Sequence, residues 1–483
     1  MHYKLIIKTI AILQLVIAFF HLVCAGVAMY YGETEALISF AVSISLLVGI
    51  GGFFMLFYKN TIPDNISTKD GFLLVALSWL AASIGGSLPF YISGAIPSYT
   101  DAFFETISGF STTGASILTN IEGLPLSILF WRSLTHWLGG MGIVVLAVAI
   151  LPLLGIGGMQ LIKAEAPGPT VDKITPRIAE TAKYLWYIYV GFTAAETVLL
   201  MLGGMNLFDA LTHTFGTVAT GGFSTKNISV SHFDSAYIDW VITIFMILAG
   251  VNFTLHFRLL TGRFKSVTKD SELKAYLAII ALTTIIITFS LNGTVYTSLA
   301  DSLRFAAFQV ATFITTTGFA TANYEQWPYL AQIILFMLMF VGGCSGSTGG
   351  GIKVIRLVTL LKQGINEMKY LVHPRGVFLI RLSGQTVKKD IVYAVSGFFF
   401  LYIFLLLVVT MIVATSGVDV LTSFTTSLAT VGNIGPGFGM VGPADNYAFY
   451  PDYVKWTLSA AMIIGRLEIY TILVLFTPTF WRR

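Results

Sequence analysis

Four short stretches of this 483-residue chain could hold a cation through backbone oxygen alone. They read Ser111-Thr112-Thr113-Gly114-Ala115, Ala219-Thr220-Gly221-Gly222-Phe223, Thr315-Thr316-Thr317-Gly318-Phe319 and Gly432-Asn433-Ile434-Gly435-Pro436. Aligned on Gly114, Gly222, Gly318 and Gly435, they recur at intervals of 108, 96 and 117 residues. Glycine there permits backbone angles that turn successive carbonyls to one side. Four such turns in a ring would present carbonyl oxygens able to replace the hydration shell of a monovalent cation. The expected ion-binding residues are Thr112, Thr113 and Gly114; Thr220, Gly221 and Gly222; Thr316, Thr317 and Gly318; and Asn433, Ile434 and Gly435. The turns contain no carboxylate, which argues against a divalent ion. Turns of this type also serve as plain helix C-caps. Four at one period argue for more than capping.

The elements that must position the turns are short. Asp101–Ser111, Phe208–Ala219, Arg304–Thr315 and Leu421–Val431 each precede a turn and hold about eleven residues, roughly 16 Å of helix and half a bilayer. Irregular backbone at membrane depth is tolerated only where protein or water surrounds it. Helix C-termini aimed at a common centre add partial negative charge there. The surroundings read as membrane: 55% of residues are hydrophobic and only 11% charged, against about 25% charged in soluble domains. Two cysteines, Cys24 and Cys344, exclude a disulfide framework.

Ten apolar runs could span, at about 5–30, 36–58, 71–93, 126–153, 183–203, 237–257, 273–292, 329–357, 390–415 and 453–478. Each repeat is span, half-helix, turn, span. Two spans return the chain to its starting side, so the repeats are parallel about an axis normal to the membrane; inverted repeats need an odd number. The expected fold is an all-α integral membrane protein: ten transmembrane helices plus four re-entrant pore half-helices, in four parallel repeats with pseudo-fourfold symmetry. The boundaries expected are two leading helices (1–69), repeat 1 (70–154), a cytoplasmic linker (155–182), repeat 2 (183–258), repeat 3 (259–357), a second linker (358–388) and repeat 4 (389–483).

Charge orients the chain. With both termini cytoplasmic, 23 of the 28 Lys and Arg fall on the inner side. The exceptions are Arg132, Lys226, Arg304, Lys455 and Arg466. Thirteen acids, among them Asp101, Glu105, Asp209, Asp239, Asp301 and Glu325, fall on the outer side and would form an acidic, cation-concentrating mouth.

Two features suggest a gate. Gly342-Gly343-Cys344-Ser345-Gly346-Ser347-Thr348-Gly349-Gly350-Gly351 interrupts an apolar span with six glycines in ten residues, too many for a comfortable helix. Its expected gating residues are Gly342, Gly343, Gly346, Ser347, Thr348, Gly349, Gly350 and Gly351. A phosphate loop is excluded because Ile352 stands where lysine is needed and no strand precedes it. Arg466 lies mid-span, at a depth similar to Gly342, and an intramembrane arginine faces the bundle interior or water. An internal ion pair with Glu468 or Glu196 is the alternative. His136 and His213 receive no role. Neither a catalytic triad, a metal cluster nor a dinucleotide fingerprint is present, so no enzyme is expected.

The four turns, the run from Gly342 to Arg356 (GGCSGSTGGGIKVIR), the run from Gly465 to Thr471 (GRLEIYT) and the ending TPTFWRR resemble the Trk/Ktr/HKT superfamily of potassium transporters over essentially the whole chain. Asn433 and Ile434 depart from the threonine-rich turns, an asymmetry the bacterial uptake subunits of that superfamily share. The resemblance implies K+ uptake across a bacterial inner membrane, a homodimer, and a cytosolic TrkA-type regulatory subunit binding NAD(H), ATP or ADP. K+ is the transported ion, and neither an organic cofactor nor a nucleic-acid partner is implied. The basic loops over 353–389 could bind anionic lipid. A carrier coupling K+ to H+ or Na+ is the rival, with Glu196 and Glu468 as its intramembrane carboxylates.

Overall fold

The computed structural model describes residues 1–59, 67–142 and 178–482. The later part of the run expected at 126–153 and most of the linker expected at 155–182, with Lys163, Lys173 and Arg177, lie outside the described residues.

The protein is mostly helical, and its apolar surface faces outward. Among the described residues, six helices are long and apolar enough to cross a membrane: Tyr3–Tyr31, Thr34–Phe57, Thr68–Ile92, Lys183–Leu202, Ser271–Leu291 and Lys389–Ala414. Thr34–Phe57 exposes Leu46, Ile50, Phe53 and Phe57, and Lys389–Ala414 exposes Phe400, Phe404, Leu407 and Met411. Water would penalise such faces, whereas lipid covers them. The polar interior is the complement: serines and threonines of four short helices are fully buried, among them Thr106, Thr214, Thr312 and Thr426.

Local chemistry sets the helix ends. Ser67 accepts from Asp70 N–H while Asp70 accepts from Ser67 N–H, a capping box that starts Thr68–Ile92. Glu33, between the first two helices, accepts from the N–H groups of Leu126 (2.6 Å) and Ser127 (3.0 Å). It thereby caps the helix Leu126–Gly140 from outside, where a negative charge suits the dipole.

The short helices run Tyr99–Phe110, Leu207–Val218, Leu299–Ile314 and Val420–Val431. Three begin where expected to within two residues. The third begins five residues before Arg304, because its polar preceding residue, Ser298, lies 20 residues before Gly318, whereas Ser98, Asn206 and Asp419 each lie 16 before their glycines. One extra helical turn accounts for the difference.

Two spans expected to be continuous are broken, and a third is interrupted at 342–351, where the glycine run was expected to unwind it. Ala236–Ala249 and Phe253–Leu260 meet at 97°, and Asp452–Arg466 meets the segment Tyr470–Phe476 at 111°. The helix Tyr329–Leu338 stops well before Val354–Val372 begins. Glycines pressed against the short helices sit at or beside these breaks. A β-carbon on Gly250 would lie 2.8 Å from Thr315 Cγ2, and one on Gly465 only 2.0 Å from the Val431 carbonyl oxygen. Gly139 meets the Phe110 carbonyl in the same way at the end of Leu126–Gly140. Backbone approaching this closely leaves no room for a side chain.

Candidate functional site

Each short helix ends in one and the same motif. Thr112, Thr220, Thr316 and Asn433 adopt left-handed backbone, with φ of 53°, 55°, 59° and 53°. The next amides reach back five residues: Thr113 to Ser108 O, Gly221 to Gly216 O, Thr317 to Thr312 O and Ile434 to Ala429 O, all at 2.8–2.9 Å. This is a Schellman cap. Capping and ion binding were alternatives in the sequence; the structure shows that the turns are caps, which leaves the second reading open to geometry.

Threonine is a costly residue at positive φ, on the order of 1–3 kcal/mol. Side-chain bonds hold the strain. Ser111 and Thr113 hydroxyls lie 2.7 Å apart, as do those of Thr315 and Thr317. Asn433 Nδ2 donates to Thr113 Oγ1 (2.9 Å) and to Met462 O (3.0 Å).

The four glycines follow at φ of 79°, 80°, 86° and 93°. A β-carbon on Gly114 would lie 2.2 Å from the Gly221 carbonyl oxygen, and one on Gly222 2.0 Å from that of Thr317. One on Gly318 would lie 2.3 Å from the Ile434 carbonyl oxygen, and one on Gly435 2.5 Å from that of Thr113. The contacts run from the first turn to the second, third, fourth and back to the first. The turns therefore form a closed ring, and one cavity is lined by all four glycines.

The stretch 342–351 lies against the helix ends that carry the ring. Gly350 N–H donates to Thr316 Oγ1 (2.7 Å), and Thr348 Oγ1 donates to Val218 O (3.1 Å) and Ala249 O (3.3 Å). Gly349 approaches Thr315 O, and Gly350 approaches Gly432 O. Gly342 N–H bonds Ile352 O (2.8 Å), closing the neck of the loop. Gly343 accepts from Val354 N–H, Gly346 and Gly351 take positive φ, and Ser347 Oγ donates to Cys344 O (2.6 Å). Arg466 donates to Thr348 O (2.7 Å), Gly139 O (2.9 Å) and Gly140 O (3.3 Å), joining the loop to the helix Leu126–Gly140.

Sequence reasoning missed the partners of this loop. Glu272 Oε1 accepts from both Ser345 N–H (2.7 Å) and Ile355 N–H (3.0 Å), tying the loop and the start of the helix that follows it to one carboxylate. The buried Lys353 ammonium donates to Gly349 O, and Glu468 pairs with Arg356. The acidic mouth is also smaller than expected. Glu105 is fully buried against Arg132 (2.6 Å), Asp101 pairs with Lys455 (2.6 Å), and Arg304 lies 3.3 Å from Asp301 and 3.6 Å from Asp239. Lys226 sits 4.0 Å from Asp209. The four cations expected on the outer side thus neutralise several of these acids, because a buried charge needs a partner. Burial and the neighbouring Asp445 push the Glu325 carboxyl above the usual carboxylate range, against the opposing hydrogen bond from Gly439 N–H. His136 bonds Gly109 O at 2.7 Å and stacks on Phe223.

Apolar helices wrapped around a buried ring of four glycine turns define a membrane-embedded transport protein. The profile of the family described as TrkH, cation transport protein, matches residues 54–483, and the chain belongs to that family. It is 42% identical over 490 residues to the Trk system potassium uptake protein TrkH of Escherichia coli K12, covering all of both chains. It is 45% identical to the protein of that name from Halomonas elongata, over 92% of each. The crystal structure of the potassium transporter TrkH from Vibrio parahaemolyticus superposes with a TM-score of 0.88 at 40% identity, over the full length of both. These relatives are named as transporters and not as enzymes.

Proposed function

We propose that this chain takes up K+ across the bacterial inner membrane through one central pore, with both termini cytoplasmic. The observation that carries the reading is the closed ring of contacts from Gly114 through Gly222, Gly318 and Gly435. In it the carbonyls of Thr112, Thr113, Gly114, Thr220, Gly221, Gly222, Thr316, Thr317, Gly318, Asn433, Ile434 and Gly435 replace the hydration of the ion, and the four helix C-termini add negative potential. The repeats are parallel and pseudo-fourfold. The loop 342–351 and Arg466 form the gate, and a cytosolic TrkA-type subunit that binds NAD(H), ATP or ADP moves it. The working unit is a homodimer. K+ influx into proteoliposomes of the purified chain tests the core of this: no influx above protein-free vesicles, with or without the partner subunit, sinks it.

A coupled symporter is the competing mechanism. Its two candidate carboxylates are poorly placed to exchange protons: Glu196 is fully buried, and Glu468 is held by Arg356. The reversal potential in reconstituted bilayers is expected to follow the K+ gradient alone. A shift with pH or Na+ at fixed K+ would establish coupling.

The pair of hydrogen bonds accepted by Glu272 makes a further expectation. Glu272→Ala removes the anchors at Ser345 and Ile355 at once, and each hydrogen bond contributes about 0.5–1.5 kcal/mol. Partner-independent K+ flux is expected to rise about tenfold. Flux equal to the parent in a folded Glu272→Ala protein means that the carboxylate does not restrain the gate.

A further inference from the structure

Counting back from the four ring glycines exposes a register that the proposed pore does not use. Nine residues before Gly114, Gly222, Gly318 and Gly435 stand Glu105, His213, Gln309 and Thr426. All four are polar and all are fully buried. None lies in a turn. Each belongs to a short helix and reaches away from it, toward backbone or side chains that follow its own turn.

The contacts are specific in the first two repeats. Glu105 Oε1 accepts from Ser116 Oγ (2.9 Å), and Oε2 accepts from Ile117 N–H (2.9 Å). His213 Nε2 lies 2.8 Å from Ser224 Oγ. Ser116 and Ser224 both stand two residues past their glycines, so the two side chains grip the same point of the ascending limb. Arg132 ties the two limbs together. It pairs with Glu105, donates to Ser224 O (2.8 Å) and lies 3.6 Å over the Phe223 ring. In the other repeats the grip is weaker or indirect. Gln309 Nε2 is 3.5 Å from Ala322 O, and Thr426 meets the Tyr450 hydroxyl at 2.8 Å.

We infer that these four residues form a backing ring that positions the turns, with the Glu105–Arg132 pair as its strongest member and a determinant of ion selectivity. The inference rests on the reading of the turns as the ion filter. Selection between two monovalent cations depends on how firmly the carbonyls resist closing on the smaller one. A limb fixed two and three residues beyond the glycine resists that motion. A buried charged pair with every oxygen engaged does so more strongly than a neutral hydrogen bond. The backing is unequal around the ring, so loss of the first repeat's brace is expected to matter most.

The test is competition of Na+ against K+ uptake in proteoliposomes, with Gly222→Ser measured alongside. Glu105→Leu/Arg132→Met removes the brace without leaving a buried charge unpaired. Its K+ preference is expected to fall about tenfold, with Glu105→Gln intermediate because one oxygen still accepts. A double variant that keeps the parent preference while Gly222→Ser loses it overturns the backing ring and leaves the filter standing. Preference kept by both overturns the filter reading itself, and the backing ring with it. Where the double variant does not fold, Ser116→Ala and Ser224→Ala carry the same measurement: a preference unchanged in both overturns the proposal, and a fall in either supports it.

Discussion

Arg466→Ala is expected to raise K+ flux in the absence of any regulatory partner by at least about thirtyfold. Two effects add. The guanidinium is a fixed positive charge beside the proposed ion path. At about 8 Å and an effective dielectric of about 20, it raises the energy of a monovalent cation by roughly 2 kcal/mol, or about thirtyfold in occupancy. The same group holds Thr348 of the loop and Gly139 and Gly140 of the neighbouring helix through their carbonyls. Losing it leaves the loop with its Glu272 anchor, its bond to Thr316, the Thr348 hydroxyl bonds to Val218 and Ala249, and the Lys353 bond to Gly349. Arg466→Lys separates the two effects, because it keeps the charge but not the fork that reaches several acceptors. Low flux in the lysine variant assigns the block to charge; flux as high as in the alanine variant assigns it to the clasp. Flux at or below the parent in a folded Arg466→Ala protein would falsify the gating role altogether.

The strain around Arg466 supports a functional reading. Glu468 and Ile469 follow it at φ of 56° and 60°. Left-handed backbone at a β-branched residue is rare and costs on the order of 1–3 kcal/mol. That break bends the last span by 111°. It places Arg466 at the end of its helix, next to the loop, and turns Glu468 toward Arg356. Glu468, one of the two carboxylates the sequence offered to Arg466, thus pairs with Arg356.

Some of this was legible in the sequence and some was not, for physical reasons. The turns were legible because glycine at recurrent spacing is a backbone requirement written directly in residue type. The extents of three short helices followed from the same alignment, and the fourth was mistaken only by one turn at its start. The breaks after Gly250 and Arg466 were not legible. Hydropathy registers that a segment is apolar and not whether it is straight, and neither break contains a proline. The bend comes from contact with the end of a short helix that is distant in sequence. Charge pairing failed for a similar reason. Glu105 was counted among the acids of the mouth, although a carboxylate mid-way along an apolar short helix already signalled a buried partner. The nine-residue register was readable beforehand, but polar residues of four different types do not announce a common position until their contacts are seen.

Gly222→Ser is expected to be the most damaging of the four ring substitutions, lowering the preference for K+ over Na+ by at least about tenfold, and Gly435→Ser the least. Two penalties apply at every position. Positive φ disfavours any residue with a β-carbon, and here it is 79° to 93°. The added carbon also meets a neighbouring carbonyl oxygen, at 2.0 Å for Gly222, 2.2 Å for Gly114, 2.3 Å for Gly318 and 2.5 Å for Gly435. A carbon–oxygen contact belongs beyond about 3 Å, so the oxygen must move by about 1 Å at Gly222 and half of that at Gly435. The oxygen displaced belongs to Thr317 in the first case and to Thr113 in the second, so each substitution damages the turn next to its own. Gly318 carries an additional obstacle in the rigid Pro436 ring, 2.9 Å from the new carbon, which ranks it above Gly435 despite similar carbonyl contacts. Competition of Na+ with K+ uptake across the four variants reads this order directly. Equal preference in Gly222→Ser and the parent, at equal flux, would remove the ring from ion selection, because no carbonyl that discriminates between ions could tolerate a displacement of that size.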